Sequence, residues 1–343
     1  MEIRKKRIIA SIIIDTYNYG RFIEDAIDSV LNQTFPQKDM EIIVVDDGST
    51  DNTSQIVKKY KDKIKYIYKE NRGQASALNL GIENSKGEYL VFLDADDFCS
   101  PQRVERVVEE FEKYENVVQV NNGFKFVNKN GKEIDFAFWK PNFYEFHNLS
   151  LNRKNIYLFF SSFAPMSAIA LRKGILKYIL PFPEKSKIGA DMCIDLVAMW
   201  FGNLSFLKEE LTYYRIHGDN LWSTNNTNKF KLHVEAMENA FLYLKKIVKN
   251  SKIYDPVLFK KALKLWEIAM EQKRINLKPK EREKMIKIEI EKFGAYSENY
   301  SISRRLYKFA TLPYLILLIL FSPGLYTWLK NFYSKREFFK KWN

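Results

Sequence analysis

Ile8-Ile9-Ala10-Ser11-Ile12-Ile13-Ile14, followed at once by Asp15-Thr16-Tyr17-Asn18-Tyr19-Gly20, is the stretch from which the fold is read. A continuous apolar, β-branched run reads as a strand buried on both faces of a parallel sheet rather than one with a wet side. The polar segment after it is a turn. Phe22, Ala26, Ile27, Val30 and Leu31 then recur at helical spacing, and Met40–Val45 is the next apolar run, which completes one βαβ unit. The pattern repeats. Asp46-Asp47-Gly48-Ser49-Thr50 turns into a helix carrying Ile56, Val57 and Tyr60, and Ile64–Tyr68 reads as a strand. A helix around Ala75, Leu78 and Ile82 then leads to the strand Tyr89–Leu93. This alternation predicts an open α/β sheet, mostly parallel, with helices on both faces and ligands at the carboxyl ends of the strands. Ser100-Pro101 reads as the start of a further helix whose buried stripe is Val104, Val107, Val108 and Phe111. Val117–Val127 with the turn Asn128-Lys129-Asn130-Gly131 predicts strands and a hairpin, and residues from Lys229 to about Lys292 read as amphipathic helix broken at Pro256 and Pro279.

The composition narrows the class. With 343 residues, 46% hydrophobic and 15% aromatic, the chain carries enough apolar material for a core plus a satellite region, which excludes disordered and fibrous proteins. Two cysteines, Cys99 and Cys193, form neither a disulfide framework nor a four-thiolate zinc site, so a reduced, intracellular protein is expected. Three histidines are too few for a metal site built on several imidazoles, and a divalent ion would be held by carboxylates.

The formal net charge is +13, from 55 basic against 42 acidic residues. Residues 301–343 hold eight basic residues against the single acid Glu337, so about half of that excess sits in the tail. Within it, Phe309–Leu329 has no formal charge and basic residues on either side. Its length suits a bilayer, but Pro313 and Ser322-Pro323-Gly324 interrupt it, so a re-entrant or interfacial segment fits equally well. Trp328 and Tyr326 near one end favour membrane contact over a hydrophobic helix packed on the body. The N-terminus lacks the length and the cleavage site of a signal peptide, so the body is expected on the cytoplasmic face of the cell membrane. A nucleic-acid binder would spread its basic residues along one face of the body, and this chain concentrates them in the tail.

Three of the loops that follow strands are acidic: Asp15, Asp46-Asp47, and Asp94-Ala95-Asp96-Asp97. In an extended chain Asp94 and Asp96 share one side, where two carboxylates grip Mg²⁺ or Mn²⁺ and leave the remaining positions to a nucleotide's phosphates. The plainer alternative is an acidic turn capping the helix near Pro101, with Asp97 taking part of that work. Ser49, Thr50 and Asp51 are ordinary helix-start residues. The acidic pair before them, in contrast, offers a carboxylate able to accept a proton from a nucleobase.

In order, Ile12–Asn18, Ser29-Val30-Leu31-Asn32-Gln33-Thr34, Val44–Asp51, Asn71-Arg72-Gly73, Ala77-Leu78-Asn79, Gly81, Gly87-Glu88-Tyr89 and Leu93–Asp97 resemble the family 2 glycosyltransferases of the GT-A fold over residues 8–125. The chain departs from that pattern at Asp15, where the family commonly has proline. The resemblance implies a GT-A domain over 1–228, followed by a helical extension over 229–300 and a membrane-associating tail over 301–343. It also implies metal-dependent, inverting transfer of a sugar from a nucleotide donor, with a lean to UDP, to a glycan or lipid-linked glycan.

By position in that family, Asp47 would read the base and Thr16 and Tyr17 would line the nucleoside pocket. Asp94 and Asp96 would hold the metal beside the nucleotide. Arg72, beside Gly73, is a candidate phosphate contact, with a solvated arginine as the plainer alternative. Lys187-Ile188-Gly189-Ala190-Asp191-Met192 matches the segment that supplies the catalytic base, with alanine where glutamate is frequent, which makes Asp191 the candidate. Asp97 and Asp195 fit that role less well. Tyr213-Tyr214-Arg215-Ile216-His217 resembles the later segment that approaches the diphosphate or metal, so His217 is a candidate phosphate or metal contact and Arg215 a weaker candidate for the phosphate. His147 and His233 read as structural, and Trp139, Trp200 and Trp222 are given no role. A processive synthase is disfavoured because the chain has no Gln-x-x-Arg-Trp segment. A nucleotide-binding protein without catalysis on the same fold is the alternative.

Overall fold

The computed structural model describes residues 7–134, 164–184 and 189–220, together with Asn239, Leu242, Tyr243, Lys246 and Ile247, which are helical. The rest of the 229–300 extension, the whole 301–343 tail, His147, His233, Trp139 and Trp222 lie outside the described residues. Among the described residues, no helix is long and apolar enough to cross a membrane.

The first half alternates as its sequence predicts. It runs β1 (Ala10–Thr16), α1 (Ile23–Leu31), β2 (Met40–Asp46), α2 (Thr53–Val57), β3 (Lys65–Tyr68), α3 (Gln74–Glu83) and β4 (Tyr89–Asp94). Then come the short β5 (Phe98–Cys99), α4 (Arg103–Lys113) and the long β6 (Val117–Asn128). β7 (Ile169–Arg172), a short helix at Leu176–Ile179, a helix at Ala190–Phe201 and β8 (Asn203–Ile216) complete the described part. All eight strands form one sheet in the order β3-β2-β1-β4-β7-β6-β8-β5.

β1 is parallel to β2 and β4, with Ala10 opposite Met40 and Tyr89, and Thr16 opposite Asp46. That register sets the carboxyl ends of the three strands level and places Asp15 directly beside Asp94. Both faces of the strands are covered. Ile12, Ile14, Ile42, Val44, Val91 and Leu93 pack with α1 and α4, whereas Ile43 and Val45 pack with Ala77 of α3 on the other side. α3 approaches so closely that a Cβ on Gly81 would lie 2.6 Å from Ile13 Cγ2.

The sheet is mixed rather than parallel throughout. β7 runs antiparallel to both of its neighbours, β4 and β6, and β5 runs antiparallel to β8. The consequence is functional, because an antiparallel strand beside β4 begins where β4 ends. Ser167, just ahead of β7, therefore reaches the loop after β4. The hairpin after β6 forms as expected, with Gly131 N–H donating to Asn128 O and Asn128 N–H to Lys132 O. The helix start at Ser100-Pro101 is displaced, since α4 begins at Arg103 and its Val104 N–H donates to Gln33 Oε1 at 2.9 Å. A side chain from after α1 has taken the capping work that Ser100 was expected to do.

Candidate functional site

The loops after β1 and β2 are clipped to one another by local polar side chains. Asn18, with φ of 59°, accepts the Thr50 N–H on its Oδ1, while its own N–H donates to Ser49 Oγ. Asp51 receives Gly20 N–H on Oδ2 and Thr53 N–H on Oδ1, which starts α2. The two neighbouring acids at the end of β2 point opposite ways, as extended chain requires. Asp46 faces inward, taking Ser49 N–H at 2.7 Å and the Tyr66 hydroxyl at 2.7 Å. Asp47 faces the segment after β3. Its Oδ1 accepts Lys69 Nζ and the Arg72 N–H, and its Oδ2 accepts the Gly73 N–H at 2.7 Å. Four acceptor sites on a carboxylate against these three donors leave one for a further N–H. Asp47 is tied to β1 as well, because its N–H donates to the Thr16 carbonyl at 2.9 Å.

Around the end of β4 four carboxyls come together, Asp96 and Asp97 buried and Asp15 and Asp94 half-buried. Asp94, Asp96 and Asp97 each present an oxygen within 4.8 Å of the others. Asp15 stands alongside, directly opposite Asp94 on the neighbouring strand. Burial pushes Asp15 up to about 7, with the Asp96 charge adding to it. Burial likewise raises Asp94 well above the usual carboxylate range, helped by the charges of Asp15, Asp96, Asp97 and Asp191. Asp97 is raised by burial and then by Asp96. Tyr19 and Tyr214 are also pushed up, by burial first and by the same acids second.

Named donors hold this repelling group together. Gln74 Nε2 donates to Asp94 Oδ1 at 3.0 Å, and the Asp94 N–H donates to Ser167 Oγ at 3.0 Å. Ser167 passes its own hydroxyl proton to Asp97 Oδ2 at 2.6 Å. Arg215 is the main anchor. Its N–H donates to Asp97 Oδ1 at 2.8 Å, Nε to the Asp96 carbonyl at 2.7 Å, Nη1 to the Lys129 carbonyl at 2.9 Å and Nη2 to Asp25 Oδ2 at 2.6 Å. Its guanidinium lies between the rings of Phe22 and Phe98, 4.8 and 5.3 Å from their centroids. His217, packed against Phe22 and Tyr19, sets Nε2 2.9 Å from Asp96 Oδ2. Its Nδ1 accepts the Asp219 N–H at 3.3 Å, so the neutral ring carries its proton on Nε2 and donates it to Asp96.

A hard divalent cation fits this donor set. Asp97 has both oxygens engaged by Ser167 and Arg215, whereas Asp94 and Asp96 retain further acceptor sites, and the mutual repulsion is what a cation relieves.

Asp191 lies in the first turn of the helix Ala190–Phe201, behind Gly189, whose φ of 86° a side chain would oppose. It is buried and lies within electrostatic range of Asp94. Asp195, one turn further along, points instead into the protein and accepts Gln119 Nε2 from β6.

The site residues expected from the sequence thus divide into groups. Asp94, Asp96 and His217 are brought together, with Asp191 within electrostatic range of Asp94. Thr16 and Asp47 adjoin them through the strand ends, and Tyr17 is exposed beside Thr16. Arg72 lies on the rim with its guanidinium on Glu184 Oε2 at 2.6 Å, leaving its main-chain N–H as the part that touches Asp47. Arg215 serves as a buried anchor rather than a free phosphate contact, and Asp97 caps no helix. Ser167, Gln74 and Lys69 were not foreseen. Gln74 and Lys69 flank the Asn71-Arg72-Gly73 segment, a clue in hindsight, whereas nothing in the sequence around Ser167 marks it.

The sequence pattern of the family described as Glycosyl transferase family 2 matches residues 11–175. An uncharacterized glycosyltransferase of Nostoc sp. is 40% identical over 217 residues, which is 61% of this chain and 65% of that protein, slightly under two thirds of its length. An uncharacterized glycosyltransferase of Rickettsia typhi is 35% identical over 249 residues, or 71% of this chain and 74% of the relative. Among solved structures, S. aureus TarS 1-349 in complex with UDP-GlcNAc aligns with a TM-score of 0.58 at 21% identity, over 81% of this chain and 79% of that one, a likeness of fold.

Proposed function

The chain belongs to glycosyltransferase family 2, and from that premise we propose that it moves one sugar from a nucleotide diphosphate donor, UDP in preference, to a hydroxyl of a glycan or lipid-linked glycan with inversion at the anomeric carbon. The observation that supports the reading is the cluster of Asp94 and Asp96 at the end of β4 with Asp191, an acid from a different part of the chain, within electrostatic range of Asp94. The bound UDP-GlcNAc of TarS supports a uridine donor, and the remaining acceptor site on Asp47 suits the single N–H of a uracil edge.

In this reading Thr16 and Tyr17 border the nucleoside, and Arg72 lies at the phosphate rim. Asp94 and Asp96 hold Mg²⁺ or Mn²⁺, with His217 orienting Asp96. The cation, when bound, neutralises charge on the departing diphosphate. Asp191 takes the proton of the acceptor hydroxyl as that oxygen bonds to the anomeric carbon and the bond to the diphosphate breaks. The basic tail of residues 301–343 is proposed to rest on the membrane at its cytoplasmic face, where lipid-linked acceptors reside.

Two experiments test this. With UDP-sugar, Mn²⁺ and acceptor supplied, Asp191→Asn should lose transfer while still binding UDP and Mn²⁺ in calorimetry. Retained turnover would overturn the assignment of the base. Deleting Tyr307–Asn343 should move the protein from membrane to soluble fractions, and unchanged partitioning removes the tail from the proposal.

A further inference from the structure

Beneath the proposed base lies a polar cluster that the transfer reaction does not use. Gln119 and Asn121, two residues apart on β6 and fully buried, face Asp195, which is also buried. Gln119 Nε2 spends one proton on Asn121 Oδ1 at 2.8 Å and the other on Asp195 Oδ1 at 2.5 Å. What remains is an unusual remainder. Gln119 Oε1, Asn121 Nδ2 and Asp195 Oδ2 are all buried and have no hydrogen-bond partner among the described residues, two acceptors against one donor. Two acceptors of this kind on the two arms of an already bonded amide and carboxyl are costly as they stand. One proton satisfies both. Placed on Asp195 Oδ2, it donates to Gln119 Oε1 and closes a ring of two antiparallel hydrogen bonds between acid and amide.

We propose that Asp195 is a neutral carboxylic acid paired in this way with Gln119, and that the pair is the positioning device that docks the first turns of the Asp191 helix onto β6. The groups around it pull both ways: the neutral amides of Gln119 and Asn121 on β6 and the Ala164 main chain favour the ionised form, while burial, the largest cause, and the charge of Asp191 on its own helix favour the neutral one. A neutral Asp195 therefore leaves the acid one turn away as the charged member of the pair. Burial, the leading cause, holds Asp195 well above the usual carboxylate range, which is the direction the ring requires.

The inference rests on Asp191 being the base, and the test separates the two. Asparagine at 195 reproduces the ring, with Oδ1 accepting and Nδ2 donating, whereas leucine cannot. Infrared difference spectra of the full chain at pH 7, wild type against Asp195→Asn, should show loss of the C=O stretch of a protonated carboxyl. Asp195→Asn should keep kcat within about threefold, and Asp195→Leu should lower it by about 100-fold, the scale of a misplaced catalytic group, with UDP and Mn²⁺ affinity retained. Because the folded group is raised, its stabilising contribution is lost as pH rises, so Asp195→Asn should melt higher than wild type on the alkaline side and converge with it toward acid. A missing infrared band, or an Asn variant as impaired as the Leu variant, overturns the neutral pair. An undiminished kcat in Asp195→Leu overturns the positioning role. Should Asp191→Asn retain transfer while the band is present, the base assignment fails and the acid–amide pair stands.

Discussion

Asp15→Asn is the sharpest probe of the acid pocket, because the native residue holds a proton that the unfolded chain releases at ordinary acidity. The Asp15 carboxyl rises from 3.8 to about 7 in the folded protein, through burial and then the neighbouring Asp96 charge. At about 1.4 kcal/mol per pH unit, that gap is worth about 4 kcal/mol. The sign follows from proton counting: between pH 4 and 7 the folded state binds the extra proton, so stability falls as pH rises across this window and then levels off. Asparagine does not titrate and removes one of the charges that raise Asp94. Urea unfolding of wild type and variant without divalent ions, at pH 4, 5.5, 7 and 8.5, should give curves that nearly coincide at the acid end. By pH 7 the variant should be the more stable by up to about 4 kcal/mol. A difference that stays constant across the series would refute the raised Asp15 carboxyl.

Other perturbations test the scaffold around the pocket. Arg215→Met removes the donors to the Asp96 and Lys129 carbonyls and to Asp25, and should cost about 3 kcal/mol in urea unfolding while weakening Mn²⁺ binding by the intact fraction; a neutral effect on both would refute its role as anchor. Lys69→Met leaves the buried Asp47 with main-chain donors alone, and calorimetry should show UDP binding weakened about tenfold, equivalent to about 1.4 kcal/mol. Gly87→Ala would place a Cβ 2.4 Å from the Ser11 nitrogen and 2.6 Å from the Ala10 carbonyl carbon, both backbone atoms with little room to yield. It should destabilise by about 1–3 kcal/mol, read as a lower thermal midpoint.

Much of this architecture is legible in the chain because β1, β2 and β4 are buried on both faces and so write their apolar character without interruption. β7 is not legible in the same way. It is only four residues long, Ile-Ala-Leu-Arg, and carries no period that distinguishes a parallel from an antiparallel neighbour. Ser167 was therefore invisible as a support for Asp94 and Asp97, since its position depends on which way β7 runs. The Asp46-Asp47 pair shows the same limit at closer range. Alternation says that the two acids face opposite ways, but only the Tyr66 hydroxyl on one side and Lys69 on the other decide which is structural. Arg215 read as a candidate phosphate contact because a sequence does not report that two phenylalanines and an aspartate enclose it.

The helix-capping explanation of the Asp94–Asp97 run makes a definite structural demand, and the fold does not meet it. A capping acid spends its oxygens on the N–H groups of the helix that follows. Here α4 has no cap from its own N-cap side chain, and Gln33 reaches across to Val104 instead. The oxygens of Asp97 go to Ser167 and Arg215, Asp96 faces His217, and Asp94 takes Gln74. Capping therefore gives no return for the burial of several carboxyls close together, an arrangement that raises Asp94 and Asp97 well above the usual carboxylate range. Strain of this kind persists where binding relieves it, and a divalent cation between Asp94 and Asp96 would relieve the repulsion among all four acids at once. The same argument explains the direction in which the anchors are built. Arg215, Ser167 and Gln74 engage the backbone of Asp94 and Asp96, both oxygens of Asp97 and one of Asp94, while Asp94 and Asp96 retain further acceptor sites.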